Sequence, residues 1–251
     1  NSNTIDCVWN GMTLTDEVKK GMETSNPYCN NAQVVVVKAD VADQYQDEAS
    51  LADLAFAVEA GSAGKETVEG LGLNFTEVAY QSDALMEVAA GTSDACVIDL
   101  LMAGAMIGEG TGYPDLAYTV SLTEEEYVVG FRKGSDLVEK FNQFWAAACA
   151  EGTVLETAKV YGVQESLCEQ PAGLTWEAAE GGDVAAIQAA GKLVVGITEF
   201  APMDYLDENN EWIGFDADMA RLVAEELGVD IEFVVIDWDM KINEVKAKNI
   251  D

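Results

Sequence analysis

Histidine is absent from the 251 residues, and that removes a great deal of chemistry at once. No Ser-His-Asp or Cys-His couple, no zincin helix and no His-assisted zinc site can be assembled. Ser62-Ala63-Gly64-Lys65 has the S-x-x-K spacing of an acylating serine, but the companion motifs are missing. Gly108-Glu109-Gly110-Thr111-Gly112 follows a helical rather than a strand segment, which makes it a poor phosphate loop. Asp207-Glu208-Asn209-Asn210 has the acidic density of a calcium loop, yet its sixth position is Trp212, where an EF-hand needs glycine. Five cysteines, Cys7, Cys29, Cys96, Cys149 and Cys168, form no CxxC pair. Cys7, Cys96 and Cys149 lie inside apolar runs and read as small buried hydrophobes; a disulfide framework is not expected, while a single bridge stays open. The sequence therefore predicts no catalytic residue, no metal site and no cofactor.

Charge narrows the field further. Forty-six acidic side chains face thirteen basic ones, a net charge of −33, so phosphate-binding clusters of Lys and Arg are lacking and nucleic acid is not an expected partner. The same field repels anionic lipid headgroups and favours solubility. With 49 % apolar residues a core is available, and the length suits one large domain or two lobes. No stretch reaches 18 uncharged apolar residues and Asn1–Asp6 is polar, so neither a membrane span nor a signal peptide is expected in this sequence.

The elements that would position such residues alternate. Strands are expected at Ile5–Trp9, Gln33–Lys38, Ala55–Glu59, Phe75–Tyr80, Ala95–Asp99, Tyr127–Arg132, Leu193–Ile197 and Ile231–Asp237. Helical spacing marks Thr15–Met22, Gly64–Gly70, Ser82–Ala90, Leu100–Ile107, Ser135–Ala150, Asp216–Leu227 and Met240–Lys248. In Asp216–Leu227 the residues Met219, Leu222, Val223 and Leu227 share a face, and Gly228 supplies the C-cap. This alternation predicts an α/β fold with mainly parallel sheets. Gln164–Gly182 has no period and reads as a connector, and Asp207–Asn210 reads as a turn between two extended pieces. The phrases Asn3-Thr4-Ile5-Asp6 and Asn249-Ile250-Asp251 echo each other at the two ends, as expected at the seam of a rotated or repeated unit.

Read from residue 192 to the end and then from residue 1, the chain falls into a known order. The phrases are Gly191–Gly196, Ala201–Tyr205, Gly214–Ala220, Ile236–Asp239, Asn249–Asp251, Trp9–Thr15, Ser25–Tyr28, Val34–Lys38, Ser50–Leu54, Ala60–Gly64, Ser93–Asp99 and Gly130–Leu137. In that order they resemble the extracellular polar amino-acid-binding proteins of ABC importers, a periplasmic-binding-protein-like family. The resemblance covers nearly the whole chain outside the connector. It implies two α/β lobes around a ligand cleft, with two crossover strands as hinge, in circularly permuted order. Lobe 1 would be 1–38 plus 126–251, with 164–182 tying the old ends together; lobe 2 would be 39–125; the crossings would lie near Lys38–Asp40 and Thr123–Tyr127. Permutation is tolerated where termini lie close and the new break is exposed. A natural rearrangement, an engineered one and a stretch cut from tandem copies would all give this order.

The resemblance also assigns roles. Gly11 and Thr13 match positions that offer a backbone carbonyl to the ligand ammonium and a hydroxyl to its carboxylate. Ser62 opens a helix whose free N–H groups favour a carboxylate. Asp99 matches the carboxylate that pairs with the ammonium, and Phe200 and Trp238 match the aromatic walls. From the residues alone, Gly61–Gly64 is equally an ordinary strand-to-helix turn, Trp238 a core residue and Asp99 a helix N-cap. Val18 departs from the pattern: the resemblance implies an arginine there to clamp the carboxylate, leaving Lys19 and Lys20 as nearby cations that point elsewhere on the helix. On this reading Val18→Arg would favour ordinary α-amino acids. Glu59 and Glu199 favour a cationic or amine-bearing ligand.

The function implied is that of a solute receptor, a monomer without catalytic activity. It would capture a small polar amino acid or amine for the membrane permease of an ABC importer. Its location would be extracellular or periplasmic, with a lipid anchor on a segment outside this sequence as one route to the membrane. The alternatives are a degenerate, permuted binding domain with a sensory or structural role and, further off, a dehydratase-like enzyme on the same fold.

Overall fold

A computed structural model describes residues 5–247, which form two compact units. One comprises residues 1–30, 126–199 and 203–251, as far as they are described; the other comprises 31–125 and 200–202. Asn249-Ile250-Asp251 and Asn3-Thr4, five of the seven residues of the echoed phrases, lie outside the described residues.

Along the chain run β1 (Cys7–Thr13), α1 (Asp16–Gly21), β2 (Glu23–Thr24), β3 (Cys29–Lys38), β4 (Ala55–Glu59), α2 (Ala63–Gly70), β5 (Asn74–Val78), α3 (Gln81–Ala90), β6 (Ala95–Asp99), α4 (Leu100–Met106) and β7 (Leu116–Phe131). Then follow α5 (Leu137–Glu151), α6 (Thr153–Tyr161), α7 (Asp183–Ala190), β8 (Lys192–Ile197), β9 (Tyr205–Leu206), β10 (Trp212–Ile213), α8 (Phe215–Leu227), β11 (Asp230–Val235) and α9 (Lys241–Lys246). The chain changes unit within β3 and within β7.

In the first unit β11, β8 and β1 pair in parallel, and β1 then meets the C-terminal part of β7 antiparallel. In the second unit β5, β4 and β6 are parallel, and β6 pairs antiparallel with β3. The sheets are thus mixed rather than mainly parallel, because the two strands that change unit each run against a neighbour. Residues 31–38, expected in the first lobe, group with the second unit, since Gln33–Val36 pair with Cys96–Asp99 of β6. Phe200–Pro202 group there as well.

One face of the first unit's sheet carries an aromatic cluster. Trp9 of β1 meets Tyr28, Phe141 and Trp145 edge-on, with ring centroids 5.0–6.3 Å apart, and Trp145 stacks on Phe141. Each such buried side chain is worth roughly 1.5–3 kcal/mol of transfer from water. The other face holds Ile5, Val8, Met12, Val18, Val128, Ile236, Trp238 and Val245. In the second unit Val35, Val37, Phe56, Val58, Val68 and Val97 make a separate core. Along α8 the buried residues include Met219, Ala220, Val223, Ala224 and Leu227, with Leu222 half-buried, and Gly228 closes the helix at φ +72°. The Asp207–Asn210 turn joins β9 and β10 antiparallel; its Asp207 carboxylate accepts from the Asn209 and Glu211 amides, which hold it below the usual carboxylate range. All five cysteines carry free thiols, with Cys7, Cys29 and Cys96 buried.

α7 packs onto the first unit at the end of the connector. Its Asp183 pairs with Arg132 at 2.5 Å, and Asp136 accepts from the Val184 amide at 3.1 Å.

Candidate functional site

In the first unit, β1 is irregular where the sequence reads Asn10-Gly11. Val8 faces Gly130 on β7 and Met12 faces Val128, so β1 carries two extra residues in between. Such a bulge re-aims backbone groups, and Gly11 sits in it at φ +54°, where a side chain would be strained. Three side chains pin it. Asn10 exchanges two hydrogen bonds with Thr198: its Nδ2 donates to Oγ1 at 2.7 Å, and its Oδ1 accepts from the Thr198 amide at 2.9 Å. The Gly11 amide donates to Asp216 Oδ2 at 2.7 Å, the oxygen that also accepts from the Tyr28 hydroxyl at 2.7 Å. Thr13 follows, half-buried, at the end of β1.

Asp216 and Asp204 are both fully buried. Burial pushes the Asp216 carboxyl up to about 7, although bonds from Tyr28 and Gly11 favour its charged form. Burial, with the Asp216 charge beside it, pushes the Asp204 carboxyl up as well.

Trp238 lies in a 3₁₀ turn, Trp238–Met240, which Asp237 caps by accepting from the Asp239 amide at 3.1 Å. It belongs to the same apolar cluster as Val18, which is 1 % exposed. A guanidinium grown from position 18 would start inside that cluster, so Val18→Arg threatens the core before it can help a ligand. Lys19 and Lys20 are exposed, and Lys19 pairs with Asp16.

In the second unit, Ser62 is the N-cap of α2. Its hydroxyl accepts from the Lys65 amide at 3.0 Å, after Gly61 turns the chain at φ +68°. Gly64 must be small, because a Cβ there would fall 2.9 Å from Gln33 Oε1 and 3.1 Å from the Val97 carbonyl. Asp99 ends β6, 3 % exposed, and its carboxylate accepts from Gln33 Nε2 at 2.5 Å. It stands in the N-cap position of α4 without capping that helix. Gln33 Nε2 also donates to Glu125 Oε1 at 2.8 Å, and Asn31 Nδ2 donates to the same oxygen at 2.6 Å. Two carboxylates thus converge on one amide, a setting that suits a cation. Phe200 and Glu59 are buried, whereas Glu199 is exposed.

The residues expected to bind ligand therefore fall into two sets, Gly11, Thr13 and Trp238 in the first unit and Ser62, Asp99 and Phe200 in the second. Gln33, Glu125 and Asp216 were not singled out from sequence. Gln33 carries a signal in hindsight, since it is the polar residue directly before the run Val34–Val37.

Residues 1–164 and 193–251 match the profile of the bacterial extracellular solute-binding proteins, family 3. The arginine-binding extracellular protein ArtP of Bacillus subtilis is 29 % identical over 150 residues, 57 % of this chain and 57 % of that protein. A probable amino-acid ABC transporter-binding protein of Haemophilus influenzae is 36 % identical over 52 residues, 21 % of this chain and 20 % of that one. The chain thus spans little more than half of the first relative and a fifth of the second. Tv2483 bound to L-arginine superposes with a TM-score of 0.58 at 27 % identity, over 64 % of this chain and 68 % of that one. A mutant of ArgBP from T. maritima gives 0.55 at 31 %, over 59 % and 65 %. AncCDT-1, an ancestral amino-acid-binding protein and precursor of cyclohexadienyl dehydratase, gives 0.53 at 27 %, over 59 % and 65 %. No helix among the described residues is long and apolar enough to cross a membrane. With two stretches that together take in most of its length, the chain belongs to the bacterial extracellular solute-binding proteins, family 3.

Proposed function

We propose that this chain captures a polar amino acid with a cationic or amine-bearing side chain for an ABC importer. It would work outside the cell as a monomer, delivering to a membrane permease, with a lipid anchor on a segment outside this sequence. The two units are its lobes, and the two residue sets act on one ligand. The observation that carries the reading is the Asp99–Gln33–Glu125 network, buried at Asp99 and Gln33 and half-buried at Glu125, where two carboxylates meet one amide. The relatives named for binding arginine support a cationic ligand. Within this reading the ammonium lies on Asp99 and Gly11, the carboxylate on Thr13 and Ser62, and the ligand body between Phe200 and Trp238. On this reading the ligand is released unchanged.

The order of the lobes is read as circularly permuted. Two separate matched stretches, with 165–192 between them, support this. So does α9, the last described helix, whose Val245 shares a cluster with Ile5 and Val8 at the start of the chain. A sequential comparison follows a permuted chain on one side of the break, in keeping with superpositions that cover 64 % and 59 % of it.

A melting screen of the twenty amino acids and common polyamines tests the function. A ligand at ~1,000 times its Kd adds about 4 kcal/mol. For a chain of this size that raises Tm by roughly 8–16 °C. Asp99→Ala is expected to abolish the shift, because a buried ammonium would lose its counter-charge. No shift at millimolar concentration with any of these compounds would reject the receptor in favour of the degenerate domain.

A further inference from the structure

In the second unit β4 lies between β5 and β6, all parallel, so the strands leave the sheet at one edge and each leads into a helix. Ser62 stands before α2, Gln81 opens α3 and Asp99 stands before α4. The carboxyl edge of parallel strands is where α/β sheets take ligands. α3 packs against β4 and β6, and its buried residues Gln81, Ala84, Leu85 and Val88 form one stripe at helical spacing. Gln81 is the polar member of that stripe, 8 % exposed. A buried amide costs free energy unless it is bonded. Its bond reaches out of its own helix: the Asp99 amide donates to Gln81 Oε1 at 2.9 Å.

Side-chain amides thus hold the junction between β6 and α4 at several points. Gln81 takes the backbone N–H of Asp99, and Gln33 Nε2 donates to the Asp99 carboxylate at 2.5 Å. Asn31 Oδ1 accepts from the Leu101 amide at 3.3 Å, in the first turn of α4. All of these side chains are neutral, so they orient the carboxylate without setting an opposite charge against it. β4 pairs with β6 at Ala95 and Cys96, towards the start of the strand. At its end, where the chain turns into α4 and Asp99 makes no cap bond, the direction of the carboxylate depends on what holds the Asp99 backbone.

We propose that Gln81 is a positioning residue for the ligand ammonium: by holding the Asp99 backbone it aims the Asp99 carboxylate. The inference rests on the amino-acid-receptor reading, in which Asp99 meets the ammonium, and deepens it by adding a residue that acts through Asp99.

A well-aimed carboxylate matters only to ligands that carry the α-ammonium, whereas a merely structural role affects every ligand alike. The twenty L-amino acids are therefore screened, and each that binds is paired with its desamino counterpart, in which hydrogen replaces the α-ammonium. Dissociation constants are measured by calorimetry for the unaltered protein, Gln81→Met and Gln81→Glu. Loss of one neutral hydrogen bond predicts that the preference for the amino acid over its desamino counterpart falls roughly 3- to 10-fold in Gln81→Met. Gln81→Glu keeps an acceptor oxygen at the same reach, and its preference is expected to stay at or above that of the parent. An unchanged preference in Gln81→Met would overturn the assignment and leave the receptor intact. Equal weakening of both ligands, or a fall in Gln81→Glu as large as in Gln81→Met, would also overturn it. Should Gln81→Met fail to fold, Gln81→Glu decides: a preference below that of the parent overturns the assignment, and one that is kept supports it. No binding of any amino acid by the unaltered protein would instead reject the receptor reading itself.

Discussion

Asp216→Asn is the substitution whose effect can be worked out most fully. Asp216 is wholly buried, and its carboxyl titrates at about 7 instead of 3.8. A carboxyl whose folded-state value is raised stabilises the fold in its protonated form. That contribution is complete below pH 4, is lost as pH climbs from about 4 to about 7, and stays lost above. A rise of about three pH units, at ~1.4 kcal/mol each, is on the order of 4 kcal/mol. About 3 kcal/mol of that falls between pH 4.5 and 7.5. Asparagine keeps an acceptor for the Gly11 amide or the Tyr28 hydroxyl and removes the titration. It also removes the charge that helps to push the Asp204 carboxyl up. Urea midpoints taken across this range should fall for the parent by about 1 M more than for Asp216→Asn, with m near 2–3 kcal/mol/M. The general repulsion of a chain with net charge −33 acts on both proteins and largely cancels in the difference. Curves that stay parallel within ~0.5 kcal/mol would show that Asp216 does not titrate with folding, and the reasoning from its burial would fail.

Two further outcomes are expected. Val18→Arg puts a guanidinium into the cluster of Ile5, Val8, Met12 and Trp238, and should cost about 3 kcal/mol or more in urea unfolding. A stabilised Val18→Arg variant would show that the side chain escapes that cluster. Asp183→Ala strips the partner from Arg132 and should cost about 3 kcal/mol; a loss under ~1 kcal/mol would mean that α7 adds little to the first unit.

Much of this was legible in the sequence, and the exceptions have physical causes. β4 and β6 were read with their observed bounds because Ala55–Glu59 and Ala95–Asp99 are short apolar runs closed by an acid. Ser62 announced itself as a cap through the Gly-Ser-Ala-Gly turn after a strand. α6 escaped notice because Val154 and Ala158 alone are buried on it, while Leu155 and Val160 face solvent. The first half of β7 is hidden by Thr123–Glu126, a polar run that pattern alone assigns to a loop. Gln33, Asp216 and Gln81 were missed for one shared reason. Each is a single polar residue at a place where periodicity expects an exposed one, or just before an apolar run. Asp at a helix start is normally a solvated cap, and Gln81 stands one residue before the stretch Ser82–Ala90 that reads as helical. Burial of one polar group leaves no trace in a pattern of many residues.

The bulge that carries Gly11 is held almost wholly by residues far along the chain. Asn10 bonds Thr198 and Gly11 bonds Asp216, at separations of 188 and 205 residues. Asp6 accepts from the Val194 amide, 188 residues away, and its own amide donates to the Val194 carbonyl at 2.7 Å. β1 therefore cannot acquire its final geometry until β8 and α8 have formed, and closing so long a loop is entropically slow. In the rotated order proposed above, β8 and α8 precede β1 by only about a quarter of the chain, and α9 leads into it. The same bonds would then close over a far shorter path. That shorter path is a physical argument in favour of the rotated order proposed above. It also makes β1 the element whose placement depends most on the final third of the sequence, and with it the backbone on which the proposed ligand contacts of the first unit depend.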